Sequence, residues 1–268
     1  MNDAQIAFGR LLKIMDQLRE QCPWDKRQTI ASLRLLTIEE TYELADAIDE
    51  NDMKLLKEEI GDILLHMVFY SRIASEQYSF DITDVINTLC DKLIRRHPHI
   101  YGDPENGGEL VKVNSDKDVK HNWEQIKMKE RKKSVLEGVP QSLPSVVKAY
   151  RIQDKAKQVG FEWENKQEVW MKVEEELQEF SEYASRDDLS AEEKNKMENE
   201  FGDLMFSLIN FSRFLEIDPE AALEKTNKKF IARFRMMEEI AEKQNMKLKN
   251  MTLSEMDLLW NQAKKVFQ

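Results

Sequence analysis

The sequence contains few of the residues that interrupt helices or build covalent and zinc frameworks. Only 8 glycines and 6 prolines occur among its 268 residues, which favours a mostly helical protein. The two cysteines, Cys22 and Cys90, form no Cys-x-x-Cys pair, so we expect neither a disulfide framework nor a zinc site. Unpaired thiols are typical of the reducing cytoplasm, where we expect the protein to act.

Long apolar runs and an excess of positive charge are also missing. The longest apolar run, residues 63–70, contains a histidine and is too short to cross a bilayer. Residues 1–10 show no signal-peptide pattern. A net charge of −11 argues against a nucleic-acid-binding surface, which is normally basic. We therefore expect no membrane and no nucleic acid among the partners, although divalent metals can still bring a polyphosphate to an acidic protein.

Acidic residues are abundant, and they form a pattern that occurs twice. The first copy consists of Glu39, Glu40, Glu43, Glu59 and Asp62, and the second of Glu175, Glu176, Glu179, Glu200 and Asp203. Carboxylates three and four residues apart share one face of a helix, so two antiparallel helices would direct all five at one small volume. At about 5 Å and an effective dielectric of about 20, each like-charged pair costs on the order of 3 kcal/mol. A bound cation is the natural explanation.

The residue types at this site indicate which cation it suits. Oxygen ligands without His or Cys favour Mg²⁺ first and Mn²⁺ second. A di-iron centre would need Glu-x-x-His on two helices, and the second half of the chain has no histidine. The four histidines are His66, His97, His99 and His121.

A lone Glu-x-x-Glu is most often only a solvated face of a surface helix. Here the pattern recurs, lies among apolar residues, and includes a glycine, Gly61 or Gly202, between the last two acids. A glycine within a helix costs about 1 kcal/mol relative to alanine. We therefore predict that Gly61 and Gly202 allow a close approach between helices beside the carboxylates.

The acidic pattern is part of a longer internal repeat. Corresponding positions are separated by 136 to 141 residues and include Trp24 and Trp163, Asp81 and Asp218, Lys92 and Lys229, Arg96 and Arg233, Trp123 and Trp260, and Lys127 and Lys264. Such an order cannot arise by chance, so the chain consists of two homologous halves. Glycine and proline mark loops at 101–117 and 129–145. We predict domains over 1–134 and 135–268.

Within each half the hydrophobic periodicity is helical. It predicts helices over 28–49, 52–78, 81–97 and 118–130, and over 166–185, 191–215, 219–243 and 253–267. Ser190 with Glu193 forms a capping-box pattern, and Asp218 followed by Pro219 is a typical helix start. No stretch alternates with period two. The expected fold class is all-α, with two tandem helical bundles that we expect to be completed by dimerisation into a homodimer.

Basic residues repeat in register with the acids. Lys229 and Arg233 lie four residues apart, on one helix face, and Lys92 and Arg96 repeat the arrangement. Trp260 with Lys264, one turn later, could stack a base and reach a phosphate, or Trp260 could close the core. For Trp123 the core role is favoured.

These motifs resemble those of the MazG family, two-domain nucleoside triphosphate pyrophosphohydrolases of the all-α NTP pyrophosphohydrolase superfamily. The resemblance covers essentially the whole chain. It rests on both acidic motifs and on Cys22-Pro-Trp-Asp-Lys, Arg95-Arg96-His97-Pro98-His99 and Val159-Gly-Phe-Glu-Trp. It implies Mg²⁺-dependent cleavage of nucleoside triphosphates between the α- and β-phosphates, which yields nucleoside monophosphate and pyrophosphate.

The resemblance also implies roles for individual residues. Metal ligands would be Glu176, Glu179, Glu200 and Asp203, and nucleotide or phosphate contacts would come from Lys172, Lys196, Lys229, Arg233, Trp260 and Lys264. Glu175 would orient or deprotonate the attacking water. In the first half, Leu36 and Leu55 stand where the second has Lys172 and Lys196. The second half should therefore carry the main activity. The first would hold a weak or vestigial site made of Glu39, Glu40, Glu43, Glu59, Asp62, Lys92 and Arg96.

Three functional hypotheses follow. The first is a nucleotide-pool housekeeping enzyme of broad base specificity, acting on both NTPs and dNTPs. The second is a nucleotide-sensing regulatory module in which one or both halves bind without turnover. The third is a stress function linked to guanosine polyphosphates.

Overall fold

The computed structural model describes residues 2–103, 107–115, 118–119, 122–123, 126 and 134–266. These residues are mainly helical and contain no strand, apart from one isolated bridge between Asp103 and Glu109, which confirms the all-α prediction. The chain divides into two compact units, residues 1–127 (unit 1) and 128–268 (unit 2). The boundary near 135 stays a prediction. Most of the helix predicted near 118–130, with His121 and Lys127, lies outside the described residues.

Unit 1 is built around a helical hairpin. Its helices are α1 (Asp3–Gln21), α2 (Ile30–Asp49), α3 (Met53–Glu76), α4 (Ile82–Arg96) and α5 (Pro98–Tyr101), with a 3-10 turn at Asp25–Arg27. Asn51, at a φ of 54°, reverses the chain between α2 and α3, and Asp52 caps α3 by accepting from the backbone N–H groups of Lys54 and Leu55. The short connection makes α2 and α3 an antiparallel pair.

The core of unit 1 is a continuous apolar cluster. Met15 from α1, Leu33 from α2, and Val68, Phe69 and Ile73 from α3 are its buried members. Interhelical ion pairs flank this core, because Arg19 donates to Glu76 at 2.8 Å and Arg72 donates to Asp16 at 2.7 Å. The buried apolar cluster and the ion pairs together hold α1 against the α2–α3 hairpin.

The first four helices of unit 2 correspond in order to α1–α4 of unit 1. The helices of unit 2 are α6 (Ser145–Lys157), α7 (Lys166–Ala184), α8 (Ala191–Phe214), α9 (Pro219–Lys243) and α10 (Leu253–Val266), with a 3-10 turn at Leu248–Asn250. Both predicted helix starts are confirmed, since Ser190 and Glu193 form a capping box and Asp218 caps α9 ahead of Pro219. The α7–α8 pair corresponds to α2–α3.

The buried apolar cluster of unit 2 is smaller than that of unit 1. Met237, Ala241 and Leu259 form a buried cluster between α9 and α10. Aromatic pairs join α7 to α8, with ring centroids 5.0 Å apart for Trp170 and Phe211 and 5.5 Å for Phe180 and Phe201. Between α6, α7 and α8 the unit leaves an open cavity instead of a filled core.

The structure corrects the sequence interpretation in two respects. Helices α1 and α6 were not predicted, yet both occur at corresponding places before Trp24 and Trp163. The close helix approach predicted at Gly61 and Gly202 is wrong within each unit, because a Cβ at either position would meet nothing within 4 Å. Among the described residues, no helix is long and apolar enough to cross a membrane.

Candidate metal centre and adjoining cavity

The α7–α8 hairpin brings the second acidic motif together. Carboxylate oxygens of Glu176 on α7 and of Glu200 and Asp203 on α8 all lie within 4.8 Å of one another. Glu176 is only 7% exposed, Glu200 is half-buried and Asp203 is exposed. The cluster therefore has one buried side against the hairpin and one open side from which a ligand can enter.

Glu179 extends this group, since it follows Glu176 by one helical turn and its proximity contributes to the raised pKa of Glu200. Partial burial raises the pKa of Glu200, and the neighbouring charges of Glu179, Asp203 and Glu176 raise it further. Each of these causes disfavours the ionised form. We call Glu176, Glu179, Glu200 and Asp203 the unit 2 acidic cluster. The four carboxylates repel one another, and a bound cation would remove this repulsion.

Lys172 supplies a positive charge at the edge of this cluster. Its Nζ lies 2.8 Å from Oε1 of Glu176 and 2.9 Å from Oε1 of Glu175, and these two contacts raise the pKa of the lysine. Lys196, one turn before Glu200, instead pairs with Glu192 at 3.1 Å. Of the two predicted lysines, only Lys172 contacts the acidic cluster.

A cavity of about 650 Å³ opens beside the cluster; Lys172, Glu176 and Asp203 line one part of it. We call it the unit 2 cavity. Its wall is mostly apolar and includes Trp163, Val169 and Phe206. A large apolar pocket with a few polar groups is the usual form of a small-molecule site.

The cavity wall also contains polar residues that were not predicted from the sequence, among them Gln153, Asn210 and Arg213. Gln153 is 6% exposed, and its Nε2 donates to the Phe206 carbonyl at 2.8 Å. Its buried Oε1 has no hydrogen-bond partner among the described residues. Asn210 Oδ1 accepts from Arg213 Nη1 at 2.9 Å. Arg213 Nη2 in turn donates to Glu162 at 2.6 Å. A comparison of the two repeats could have found Asn210, because Phe69 occupies the corresponding position, 141 residues earlier.

The predicted basic and aromatic residues of α9 and α10 form a separate group. The guanidinium carbon of Arg233 lies 6.0 Å from the centre of the Trp260 ring, which also packs 5.0 Å from Phe230. Trp260 is half-buried against the α9–α10 cluster, whereas Lys229 and Lys264 are exposed. None of the four predicted residues lines the unit 2 cavity.

Unit 1 repeats the acidic cluster. Oxygens of Glu40, Glu43 and Glu59 lie within 4.8 Å of one another. Glu59 is 5% exposed, and its buried Oε2 has no hydrogen-bond partner in the part of the chain that the structure describes. Burial raises the pKa of Glu59 and of Glu40, and the Asp62 charge adds to the effect on both. Glu39 is exposed, and its charge adds a smaller rise to the pKa of Glu40.

The surroundings of the unit 1 cluster differ from those in unit 2. Leu36 packs against the unit 1 core, and Phe69 is 2% exposed within it. His66 is buried, and burial lowers its pKa. Its Nδ1 has no hydrogen-bond partner within the described ranges. Lys92 is half-buried on α4, and the Arg96 guanidinium lies 5.7 Å from the centre of the Trp123 ring. Unit 1 thus keeps the acids, but at the positions of Lys172 and Asn210 it has apolar side chains that belong to its core.

Both acidic clusters fall inside segments that match a known family model. The model of the MazG nucleotide pyrophosphohydrolase domain matches residues 28–101 and 165–244. Nucleoside triphosphate pyrophosphohydrolase/pyrophosphatase MazG of Thermotoga maritima is 44% identical over 98% of this chain and 98% of its own. Nucleoside triphosphate pyrophosphohydrolase of Escherichia coli (strain K12) is 39% identical over 96% of this chain and 97% of its own. The uncharacterized protein YabN of Bacillus subtilis is 43% identical over 96% of this chain and 51% of its own.

Proposed function

Because the chain belongs to the MazG nucleotide pyrophosphohydrolase family, we propose that it hydrolyses nucleoside triphosphates to nucleoside monophosphate and pyrophosphate. The observation that supports this most strongly is the unit 2 acidic cluster beside the cavity, inside the second matched segment. A cation-binding group next to an apolar pocket suits a ligand with one polyanionic end and one apolar end.

The donor set fits a hard divalent cation. All four members of the unit 2 acidic cluster offer carboxylate oxygens, and their repulsion already raises the pKa of Glu200. Glu176, Glu179, Glu200 and Asp203 would hold Mg²⁺, for which Mn²⁺ could substitute. The bound metal would neutralise triphosphate charge, polarise the phosphorus centre and activate water.

The remaining residues would position the reactants. Glu175 accepts a hydrogen bond from Lys172, which holds its carboxylate at the edge of the cluster, where it could orient or deprotonate the attacking water. Lys172 and Lys196 would donate to phosphate oxygens. The nucleotide contacts assigned to Lys229, Arg233, Trp260 and Lys264 stay predictions of the same proposal.

Unit 1 would have a secondary role. Its acids could bind a cation, but Leu36 offers no donor to a phosphate and Phe69 fills part of the core beside them. We assign it a weak or vestigial site made of Glu39, Glu40, Glu43, Glu59, Asp62, Lys92 and Arg96.

The proposed enzyme acts in the cytoplasm as a homodimer. It hydrolyses both NTPs and dNTPs with broad base tolerance, and its role is housekeeping of the nucleotide pool. Large side chains such as Leu35, Met171 and Phe230 are more than half exposed, and a second copy would cover such surfaces. Analytical ultracentrifugation tests the dimer, and a single species of monomer mass would exclude it.

A product assay tests the activity. The purified chain is incubated with each of the eight canonical NTPs and dNTPs and Mg²⁺, and the products are separated by chromatography. We expect nucleoside monophosphate and pyrophosphate from most of them. Nucleoside diphosphate and orthophosphate as main products would exclude the mechanism. Nucleotide binding without turnover would favour the sensing module. A parallel incubation with guanosine polyphosphates tests the stress function, which would be favoured if these were hydrolysed and the eight canonical nucleotides were not.

A further inference from the structure

We propose that unit 1 binds a first-row transition-metal dication, such as Fe²⁺, Co²⁺ or Zn²⁺, through its acidic residues and the imidazole of His66. We call Glu40, Glu43, Glu59 and Asp62 the unit 1 acidic cluster. The inference goes beyond the proposed reaction, which unit 2 would carry, and it does not depend on nucleotide turnover.

The unit 1 acidic cluster lacks the positive charge that its counterpart has in unit 2. There, Glu176 is paired with Lys172 at 2.8 Å. In unit 1 Leu36 stands at the position of Lys172. Among the described residues, no lysine or arginine forms an ion pair with any of the four carboxylates. Buried carboxylates without a counter-charge are strongly unfavourable, so the cluster has to take up either protons or a cation.

Two buried side chains of α3 have a ligand atom without a partner. Glu59 is 5% exposed, it contributes an oxygen to the cluster, and its Oε2 accepts no hydrogen bond from the described part of the chain. His66 is 7% exposed, and its buried Nδ1 also has no hydrogen-bond partner there. Carboxylate oxygens and imidazole nitrogens are both common metal ligands, so a cation bound in the cluster would supply the missing contacts.

The arrangement of α2 and α3 places His66 beside the cluster. Glu59, Asp62 and His66 follow one another at intervals of three and four residues, so they share one face of α3. One turn after His66, the hydroxyl oxygen of Tyr70 lies 2.7 Å from Oγ1 of Thr37 on α2. The stretch of α3 from the cluster to this contact therefore faces α2.

Asp62 connects the imidazole with the other carboxylates. Burial raises the pKa of Glu40 and of Glu59, and the charge of Asp62 raises both further. Burial lowers the pKa of His66, and the same Asp62 charge opposes that change. Asp62 and His66 are one helical turn apart, about 6 Å along the axis. A cation bound at Asp62 is therefore within reach of the imidazole as well as of Glu40.

An imidazole nitrogen changes the metal preference of such a site. Carboxylates alone suit Mg²⁺, whereas imidazole favours transition-metal ions, which bind nitrogen more strongly. Unit 2 has Ser207 at the position of His66, and its hydroxyl donates to the Leu204 carbonyl at 2.9 Å. The nitrogen ligand is thus specific to unit 1, and we assign the transition metal to that unit.

The experiment uses the full chain with Glu176→Ala and Asp203→Ala, so that the proposed site in unit 2 cannot bind metal. His66→Gln and Glu59→Gln are then introduced separately. His97→Gln, which removes an imidazole of unit 1 outside the cluster, is the matched control. Circular dichroism establishes that each variant is folded. The readouts are the Kd of Co²⁺ and of Mg²⁺ by calorimetry, and the X-ray absorption spectrum of the Co²⁺-loaded chain, in which an imidazole ligand gives a characteristic outer-shell signal.

We expect the parent chain of this series to bind one Co²⁺ and to show the imidazole signal. His66→Gln should abolish the signal and weaken Co²⁺ binding by at least roughly tenfold, since even an outer-shell partner of a metal ligand contributes about that much. Mg²⁺ binding should change little in His66→Gln, because Mg²⁺ prefers oxygen ligands. Glu59→Gln should weaken the binding of both ions, and His97→Gln should change neither the affinities nor the signal.

Other results would overturn the assignment. No binding of Co²⁺ by the parent chain would mean that the buried carboxylates take up protons instead. A spectrum with oxygen ligands alone, or equal Co²⁺ affinity with and without His66, would make unit 1 a hard-ion site like that proposed for unit 2. Loss of the signal in His97→Gln would place the ion at another histidine. The spectrum of the parent chain and that of His97→Gln decide the point even if His66→Gln does not fold.

Discussion

The ammonium nitrogen of Lys172 lies 2.8 Å from Oε1 of Glu176, the most buried member of the unit 2 acidic cluster. In the absence of a metal, this lysine neutralises part of the charge that a cation would otherwise balance. In the proposed site it would therefore compete with a metal for Glu176, and it would become available to a phosphate once the metal displaced it. Unit 1 has Leu36 at this position and lacks such a competitor.

Lys172→Leu should accordingly strengthen Mg²⁺ binding while it weakens NTP binding. The metal-free protein should melt a few degrees lower, because a partly exposed ion pair contributes up to about 1 kcal/mol. Calorimetric titration with Mg²⁺ measures the first effect and KM the second. Lys196→Leu is the control for metal affinity, since Lys196 pairs with Glu192 and not with the cluster. Equal Mg²⁺ affinity in wild type and Lys172→Leu would contradict the competition.

The two halves should be unequal in catalysis. Glu176→Ala and Asp203→Ala should each abolish nearly all turnover, because each deletes a proposed metal ligand beside the cavity. Glu40→Ala and Asp62→Ala, the matched changes in unit 1, should leave most of it. Steady-state rates of the four variants, with folding checked by circular dichroism, give the comparison. Similar losses from both pairs would mean that both halves catalyse or that they share one composite site.

Divalent metal should stabilise the fold in a pH-dependent manner. The raised pKa of Glu200 means that the folded state binds this proton more tightly than the unfolded state. Its contribution to metal-free stability is therefore full below the unfolded pKa of about 4.3 and is lost as the pH rises through the folded value. Mg²⁺ needs the ionised carboxylates, so its effect on Tm should be small near about pH 5 and larger near about pH 7.5.

Melting curves at several pH values, with and without millimolar Mg²⁺ or Mn²⁺, test this prediction. Zn²⁺ should not be preferred at unit 2, because its acidic cluster contains no Cys or His. A Tm that does not respond to Mg²⁺ at neutral pH would argue against a metal site in unit 2.

Gly61→Ala and Gly202→Ala should each stabilise the isolated chain by roughly 1 kcal/mol. A Cβ at either position meets nothing within 4 Å, so the substitution lowers the conformational entropy of the unfolded chain without a clash. Urea denaturation of both variants measures the change. A loss of stability together with a shift to smaller assemblies would show that another copy packs against these glycines.

Several features of the fold could be predicted from local chemistry alone. The starts of α8 and α9 follow from Ser190 with Glu193 and from Asp218 with Pro219, because a capping side chain satisfies backbone groups only a few residues away. The acidic clusters likewise follow from carboxylates spaced three and four residues apart on paired helices. Helical periodicity and capping are properties of short segments, and the sequence carries them directly.

Other features depend on contacts between distant segments. Helix α6 buries Gln153 and Lys155, so its buried face does not read as apolar in the sequence. The open space beside Gly61 depends on which helices pack nearby. The spacing of the acidic motif in the sequence does not specify that packing. The unit 2 cavity exists because α6, α7 and α8 do not fill the space between them. The sequence signal for its polar wall is the presence of Asn210 where the first repeat has Phe69.

The substitution of Phe69 for Asn210 between the repeats has a consequence for stoichiometry. If both acidic clusters bind metal and only unit 2 binds nucleotide, the chain should bind more equivalents of divalent cation than of nucleotide. Saturation with metal and saturation with nucleotide would then be distinct events, and metal bound at unit 1 would persist after nucleotide is removed. A calorimetric titration that counts both ligands per chain would reveal this inequality as a ratio greater than one.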